Sequence, residues 1–319
     1  IQNLEELFPT SKDLKHVFAY NATVNWMRAL AILTSTDEFE DISLKNHFEN
    51  LQRRKKDVKA DMKAFENTLM AFHNLASLQR MRSVKEHAYD LSRSAITTWY
   101  YSIYFTSSAM IAGASGGSSD RHRGTARIWH SDFIQSDLLI SPFSLSISNL
   151  VKKNIEKVID EYRVDNQFEL KETPVTKSQA WGAVISYLSG TGNHEVEKIE
   201  DKVKKNKEFK NGGFESFRPK KARILRDKFL KEGYVNFMIQ AIRYRGKANY
   251  RDAIFLSYSS DYSDRTYQLI EDLAFVSEKY LRMAVHYLSR RVEKGTWESF
   301  ISQFEKHSRI SMSTDILKV

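Results

Sequence analysis

The chain has 319 residues, 41% hydrophobic and 28% charged, with no cysteine and a net charge of +9. Without cysteine it forms no disulfide, thiolate metal site, iron–sulfur cluster or cysteine nucleophile, which suits a cytoplasmic location. A mean hydropathy of -0.50 and the lack of any long uncharged apolar run argue against a membrane protein, while a pI near 9.4 points to a polyanionic partner, nucleic acid first.

The four prolines, Pro9, Pro142, Pro174 and Pro219, all fall where helical patterns stop. β-Branched alternation is scarce, so an all-α helical bundle is predicted. Residues 1–10 read as a loosely attached arm, with Thr10 and Asp13 as a capping pair. A helix follows over 13–34, turning Leu14, Val17, Phe18, Val24 and Leu30 to the core. Over 42–80, apolar residues recur in steps of four and three from Leu44 and Phe48 through Leu51, Val58 and Met62 to Ala76. This heptad seam, interrupted by Lys55, predicts one long helix packed in a hairpin within the chain or against a partner.

Residues 88–111 contain neither proline nor glycine. Leu91, Ala95, Trp99 and Ile103 recur every four positions, and Tyr100, Tyr101, Tyr104 and Phe105 add bulk to the other faces. A helix with so little polar surface is buried on several sides, so this one is predicted to be central. The glycine- and serine-rich stretch 113–119 is a loop without the ending of a phosphate-binding P-loop. Residues 120–130 crowd arginine and histidine together, as an anion contact or as a solvated connector.

Pro142 is expected to open a helix over 143–163, followed by a linker over 164–175 and a short helix over 177–188. The strongest charge feature spans 198–231. Lys204, Lys205, Lys207 and Lys210 precede a Gly212-Gly213 turn, and Arg218, Lys220, Lys221 and Arg223 follow it. Phe209, Phe214 and Phe217 are interleaved. Such a hairpin contacts phosphates and stacks bases, or is a solvated element with its phenylalanines turned inward. A helix over 234–243 and a long last helix over 263–292 complete the pattern, with Gly295 as the stop.

Catalytic signatures are sparse. His194 and Glu195 lack a second histidine one turn away, so no metal site and no cofactor are expected. Arg82 and His87 read as an ordinary surface pair.

Three segments together resemble the HEPN superfamily, especially members encoded beside minimal nucleotidyltransferases. Ala95 to Met110, with Trp99-Tyr100-Tyr101 and Phe105, is similar to that family's aromatic second helix. His122-Arg123-Gly124, followed by Asp132-Phe133-Ile134-Gln135, is similar to its His-x-Gly segment. Arg245 with Ala248-Asn249-Tyr250 resembles its Arg-x-x-Ala-Asp-Tyr motif. The resemblance implies a compact bundle, often dimeric, in prokaryotic toxin–antitoxin or other defence systems, with RNA ahead of DNA as substrate. In nuclease members an Arg-x4-His motif occupies the Arg245 region; here position 250 is tyrosine.

The resulting expectation is a HEPN-like core in two blocks, 81–140 and 234–319, with an N-terminal extension over 1–80 and a basic insertion over 141–233. A metal-independent ribonuclease would use Arg245 and Tyr250, with His122 as base from another segment. Arg123 and Arg127 would join the 204–223 cations on nucleic acid. The alternative is a non-catalytic binding or scaffold subunit of a homodimer or larger defence complex.

Overall fold

A helix that buries every side needs neighbours all round, and α4 (Ala88–Ser115) has them. Ala95, Trp99 and Ile103 are fully buried, as the four-residue periodicity predicts, together with Ile96 and Met110, while Leu91 is half-buried. Gly116 ends the helix in the left-handed conformation, φ +71°, where a side chain is disfavoured.

The computed structural model describes residues 14–249 and 263–319. In it α3 (Val58–Arg82) folds back on α4, while α5 (His122–Trp129), α10 (Phe237–Asn249) and α11 (Ser263–Arg291) pack on its other sides. A Cβ at Gly113 would lie 2.5 Å from Leu288 Cδ2, so glycine permits the close approach of α4 and α11. The α11 stripe of Leu269, Leu273, Val276, Tyr280, Met283 and Tyr287 is buried throughout, as its spacing predicts. α1 (Leu14–Thr34) bridges α11 and α7 (Lys177–Lys205). Here Trp26 stacks on Tyr187 at 4.1 Å and meets Trp99 edge-on at 5.8 Å.

One apolar core runs continuously from α1 to the C-terminal residues. Among the described residues there is no strand, only an isolated bridge between Ile147 and Val235. The protein is an all-α bundle. No described helix is long and apolar enough to cross a membrane.

Several local expectations are corrected. The 42–80 seam is not one helix: α2 (Asp41–His47) ends before Phe48, and α3 starts only at Val58. Asp57 caps α3 by accepting from the Ala60 N–H at 3.1 Å. Arg53, Arg54, Lys55 and Lys56 instead form a basic strap over the carboxyl end of α11. Arg53 donates to the carbonyls of Ser289 and Val292 at 3.1 and 2.6 Å, groups left open by the helix end. Val58 and Met62 are consequently exposed, whereas Phe65 and Phe72 of the same seam are buried, joined by Ala64 and Thr68. Phe18 is likewise exposed, although Val24 and Leu30 are buried.

Pro142 does not open a helix. Ile147 exchanges backbone hydrogen bonds with Val235, so the chain stays non-helical until α6 (Lys152–Arg163). α7 does not stop at 188 but runs on through Gly190 and Gly192 to Lys205, with Gly192 packed beside Ile147 and Ile155. Residues 122–129 form a helix rather than a connector, anchored by the buried Trp129. A further helix, α12 (Thr296–His307), follows Gly295, with buried Trp297 donating to the Leu317 carbonyl at 3.0 Å.

The basic segment forms a lobe from the end of α7, α8 (Lys207–Asn211) and α9 (Lys220–Lys231). Val203, Phe209, Ala222 and Leu225 make a small core of their own, and Phe214 and Phe217 pack against it. The phenylalanines therefore hold the lobe together rather than offering faces to bases. The N-terminal arm, the Thr10–Asp13 pair and Tyr250 lie outside the described residues.

Candidate functional site

Arg245 and His122 are 123 positions apart in sequence and meet in the fold. α10 carries Arg245 and the first turn of α5 carries His122. Asn236, fully buried, fastens the two helices. Its side-chain N–H donates to the Ala126 carbonyl of α5 at 2.9 Å, and its carbonyl oxygen accepts from Ile239 N–H in the first turn of α10 at 3.0 Å. Arg93 of α4 donates to the Ala248 carbonyl at 3.0 Å and holds the other end of α10.

Gly124 allows the 116–121 loop to fold onto α5, because a methyl group there would overlap the Ser119 hydroxyl. The Tyr104 hydroxyl donates to the Ser119 carbonyl at 3.2 Å and ties the same loop to α4. The His-x-Gly spacing thus has a mechanical reason: the glycine admits the loop that sets the histidine.

The hydrogen bonds determine the state of His122. Arginine only donates, so the Arg245 Nη1 contact at 3.2 Å makes His122 Nε2 the acceptor. His122 is then neutral, with its proton on Nδ1, donated to the Tyr100 hydroxyl at 2.8 Å. Burial lowers the His122 pKa, and the Arg245 cation lowers it further. Burial raises that of Tyr100, against the pull of Arg245, so the phenol stays protonated.

The Arg245 guanidinium lies over the Tyr100 ring at 4.6 Å and near that of Tyr101 at 5.9 Å. It has no carboxylate partner among the described residues, and its Nε is buried without a hydrogen bond. Tyr104 meets the His122 ring edge-on at 4.7 Å. The centre therefore pairs an uncompensated cation with a neutral imidazole in an aromatic frame. Such a pair can attract an anion and accept a proton.

The other predicted site residues are dispersed. Arg123 turns away from His122 and grips the buried carboxylate of Glu195, with both nitrogen–oxygen distances 2.8 Å. Burial raises the Glu195 pKa, but Arg123 and Lys198 outweigh it and leave the pKa lowered overall. Arg127 is exposed beside this pair. Lys204, Lys205, Lys207, Lys210, Arg218, Lys220, Lys221 and Arg223 are all exposed on the lobe, and of these only Lys204 pairs with an acid among the described residues, Asp201 at 3.8 Å. Arg82 and His87 are exposed and not in contact with the centre.

Sequence reasoning missed three participants: Tyr100 as the partner of Nδ1, Asn236 as the fastener of α5 to α10, and Glu195 as the partner of Arg123. Tyr100 stood in the aromatic helix without anything to mark its hydroxyl. The Arg123–Glu195 pair spans 72 positions and leaves no local pattern. Compared with known proteins, the chain matches no family model, no curated protein and no solved structure.

Proposed function

We propose that the protein is a HEPN-like, metal-independent endoribonuclease of a prokaryotic defence or toxin–antitoxin system. The observation that carries this reading is Arg245, a half-buried cation with no acid partner among the described residues, donating to the lone pair of neutral His122. A phosphodiester would draw the guanidinium to its non-bridging oxygens and release Nε2. Nε2 would then take the proton of the adjacent 2′-hydroxyl. The 2′-oxygen attacks phosphorus, the bond to the 5′-oxygen breaks, and solvent protonates the leaving oxygen. The products are a 2′,3′-cyclic phosphate and a 5′-hydroxyl. Arg245 stabilises the charge gathered on the phosphorane, and Tyr100 keeps the imidazole in the required tautomer. Tyr250 has no role in this scheme.

The test is single-stranded RNA incubated with pure protein in the presence of a chelator. Wild type cleaves, whereas folded Arg245→Ala and His122→Ala variants do not. RNA left intact by wild type, with cognate partners present, ends the nuclease reading.

A second reading is supported by the lobe, whose exposed lysines and arginines have few acid partners. In it the protein is a non-catalytic RNA-binding subunit of a homodimer or larger defence complex. Neutralising Lys204, Lys205, Lys220 and Lys221 together then lowers the salt slope of binding by about three, at roughly 0.7–0.9 per phosphate contact. An unchanged slope removes the lobe as the main contact.

A further inference from the structure

A cavity of about 480 Å³ lies between α5, the middle of α7 and the turn that leads into α10. That volume falls within the roughly 300–1,000 Å³ common for small-molecule sites. Arg121 and Arg127 line one wall, and Lys198 and Lys202, one turn apart on α7, line the other. Phe229 and Tyr234 supply half-buried aromatic surface, and the Tyr234 ring is held by stacking on His130 at 4.6 Å.

The charge of this groove is unbalanced. Glu195 is 4% exposed, and its carboxylate is saturated by Arg123 and Lys198. Arg121, Arg127 and Lys202 are exposed and have no acid partner among the described residues. Glu232 is the only other acid on the lining. A resident carboxylate thus satisfies two cations, and three more face open space above an aromatic surface. An inorganic anion would use the cations alone; a phosphate attached to a flat ring uses both.

We propose that this groove binds a nucleotide, with its phosphate on Arg121, Arg127 and Lys202 and its base against Phe229 and Tyr234. The nucleotide is either free or one unit of a strand that reaches the neighbouring His122. Only the strand source rests on the nuclease reading above. Glu195 acts here as an internal counter-anion: it withholds Arg123 and Lys198 from the ligand and so limits the affinity.

The experiment is a calorimetric titration of the full chain with adenosine 5′-monophosphate and with a short single-stranded oligodeoxynucleotide, which has no 2′-hydroxyl to react. Both are repeated with Arg127→Glu combined with Lys202→Glu, with Glu195→Gln and with His122→Ala. All of these variants are first checked for an unchanged melting profile. The double charge reversal weakens binding by about ten-fold or more, and Glu195→Gln tightens it. Loss of mononucleotide binding identifies a free-nucleotide site; loss for the oligonucleotide alone identifies the strand source. His122→Ala retains groove binding, so a protein that binds here without cleaving RNA sinks the nuclease reading and leaves the groove intact. If wild type binds neither probe, or the double variant binds both as wild type does, the groove proposal is overturned.

Discussion

Two arginine–histidine pairs in this protein have opposite wiring. Arg282 and His286 of α11 share one acid, Asp41 of α2. Arg282 donates to both carboxylate oxygens, and His286 Nε2 lies 3.0 Å from Oδ1. Arg282 also donates to the Asp315 carbonyl at 2.6 Å, so the cluster pins α2 and the C-terminal residues to α11. The hydrogen bond from Arg282 holds the Asp41 pKa at about 2. Every charge there has a partner, and little remains to bind anything else. Arg245 and His122 face each other with no acid partner among the described residues. The same two residue types form a latch where a carboxylate is supplied; where no described carboxylate joins them, the cation is left for the anion contact proposed above. Residue identity alone does not separate the two cases; the charge of the third group does.

The sharpest way to break this comparison is to remove one member of each pair. On the nuclease reading proposed above, Arg245→Ala or His122→Ala lowers metal-free RNA cleavage by about 10²–10⁴-fold, the range for a lost proton acceptor or charge stabiliser. The melting temperature changes little, because neither side chain closes an ion cluster. Equal loss of stability and activity would make the centre a second latch.

Asn236→Ala comes next. It removes two buried hydrogen bonds that join α5 to α10, at a cost of about 1–3 kcal/mol in urea unfolding. Cleavage falls with it, because His122 and Arg245 lose their common support. Stability lost with cleavage unchanged would show that Asn236 does not set the pair.

Asp41→Ala is milder in stability and silent in cleavage. Its side chain is 54% exposed, so solvent screening leaves a loss of only about 1 kcal/mol. A drop in cleavage would mean that the two pairs are not independent.

The pH dependence of stability separates the same features by sign. Burial lowers the pKa of His122, His130, His194 and His286. The unfolded chain therefore binds more protons just below the ordinary histidine value of about 6.5, and thermal stability falls as pH drops through that window. A second loss comes as pH falls from the ordinary aspartate value of 3.8 towards 2, where Asp41 protonates. In Asp41→Ala the second loss shrinks and the first persists. A melting temperature flat from pH 7 to about 5 would contradict the buried, neutral histidines.

The smallest effect is expected in the rate profile. Arg245→Gln keeps a donor to Nε2 but removes the cation that lowers the His122 pKa. The residual activity loses its acid limb at higher pH than in wild type. An unmoved limb would assign the base to another group.

Sequence period alone determined the helical class, the central helix around Trp99 and the long α11 stripe. Apolar residues at four- and three-residue steps have one economical burial, so these elements are locally encoded. The same rule failed over 42–80, where Asp57 offered a local cap and Arg53 found the open carbonyls of α11; the second effect depends on a helix end brought there by the fold. It also failed beyond Leu188, where the expected short helix continues through Gly190 and Gly192 to Lys205. At the site, the types Arg245 and His122 were legible through their motifs, and their meeting was expected from a resemblance. Their chemistry was not legible. Only the tertiary structure decided that His122 is neutral, that Tyr100 holds its proton, that Arg123 belongs to Glu195 and that Arg245 has no acid partner among the described residues. Hydrogen bonding and charge compensation act through space over a few ångströms, and these partners are separated by 22 to 123 positions along the chain.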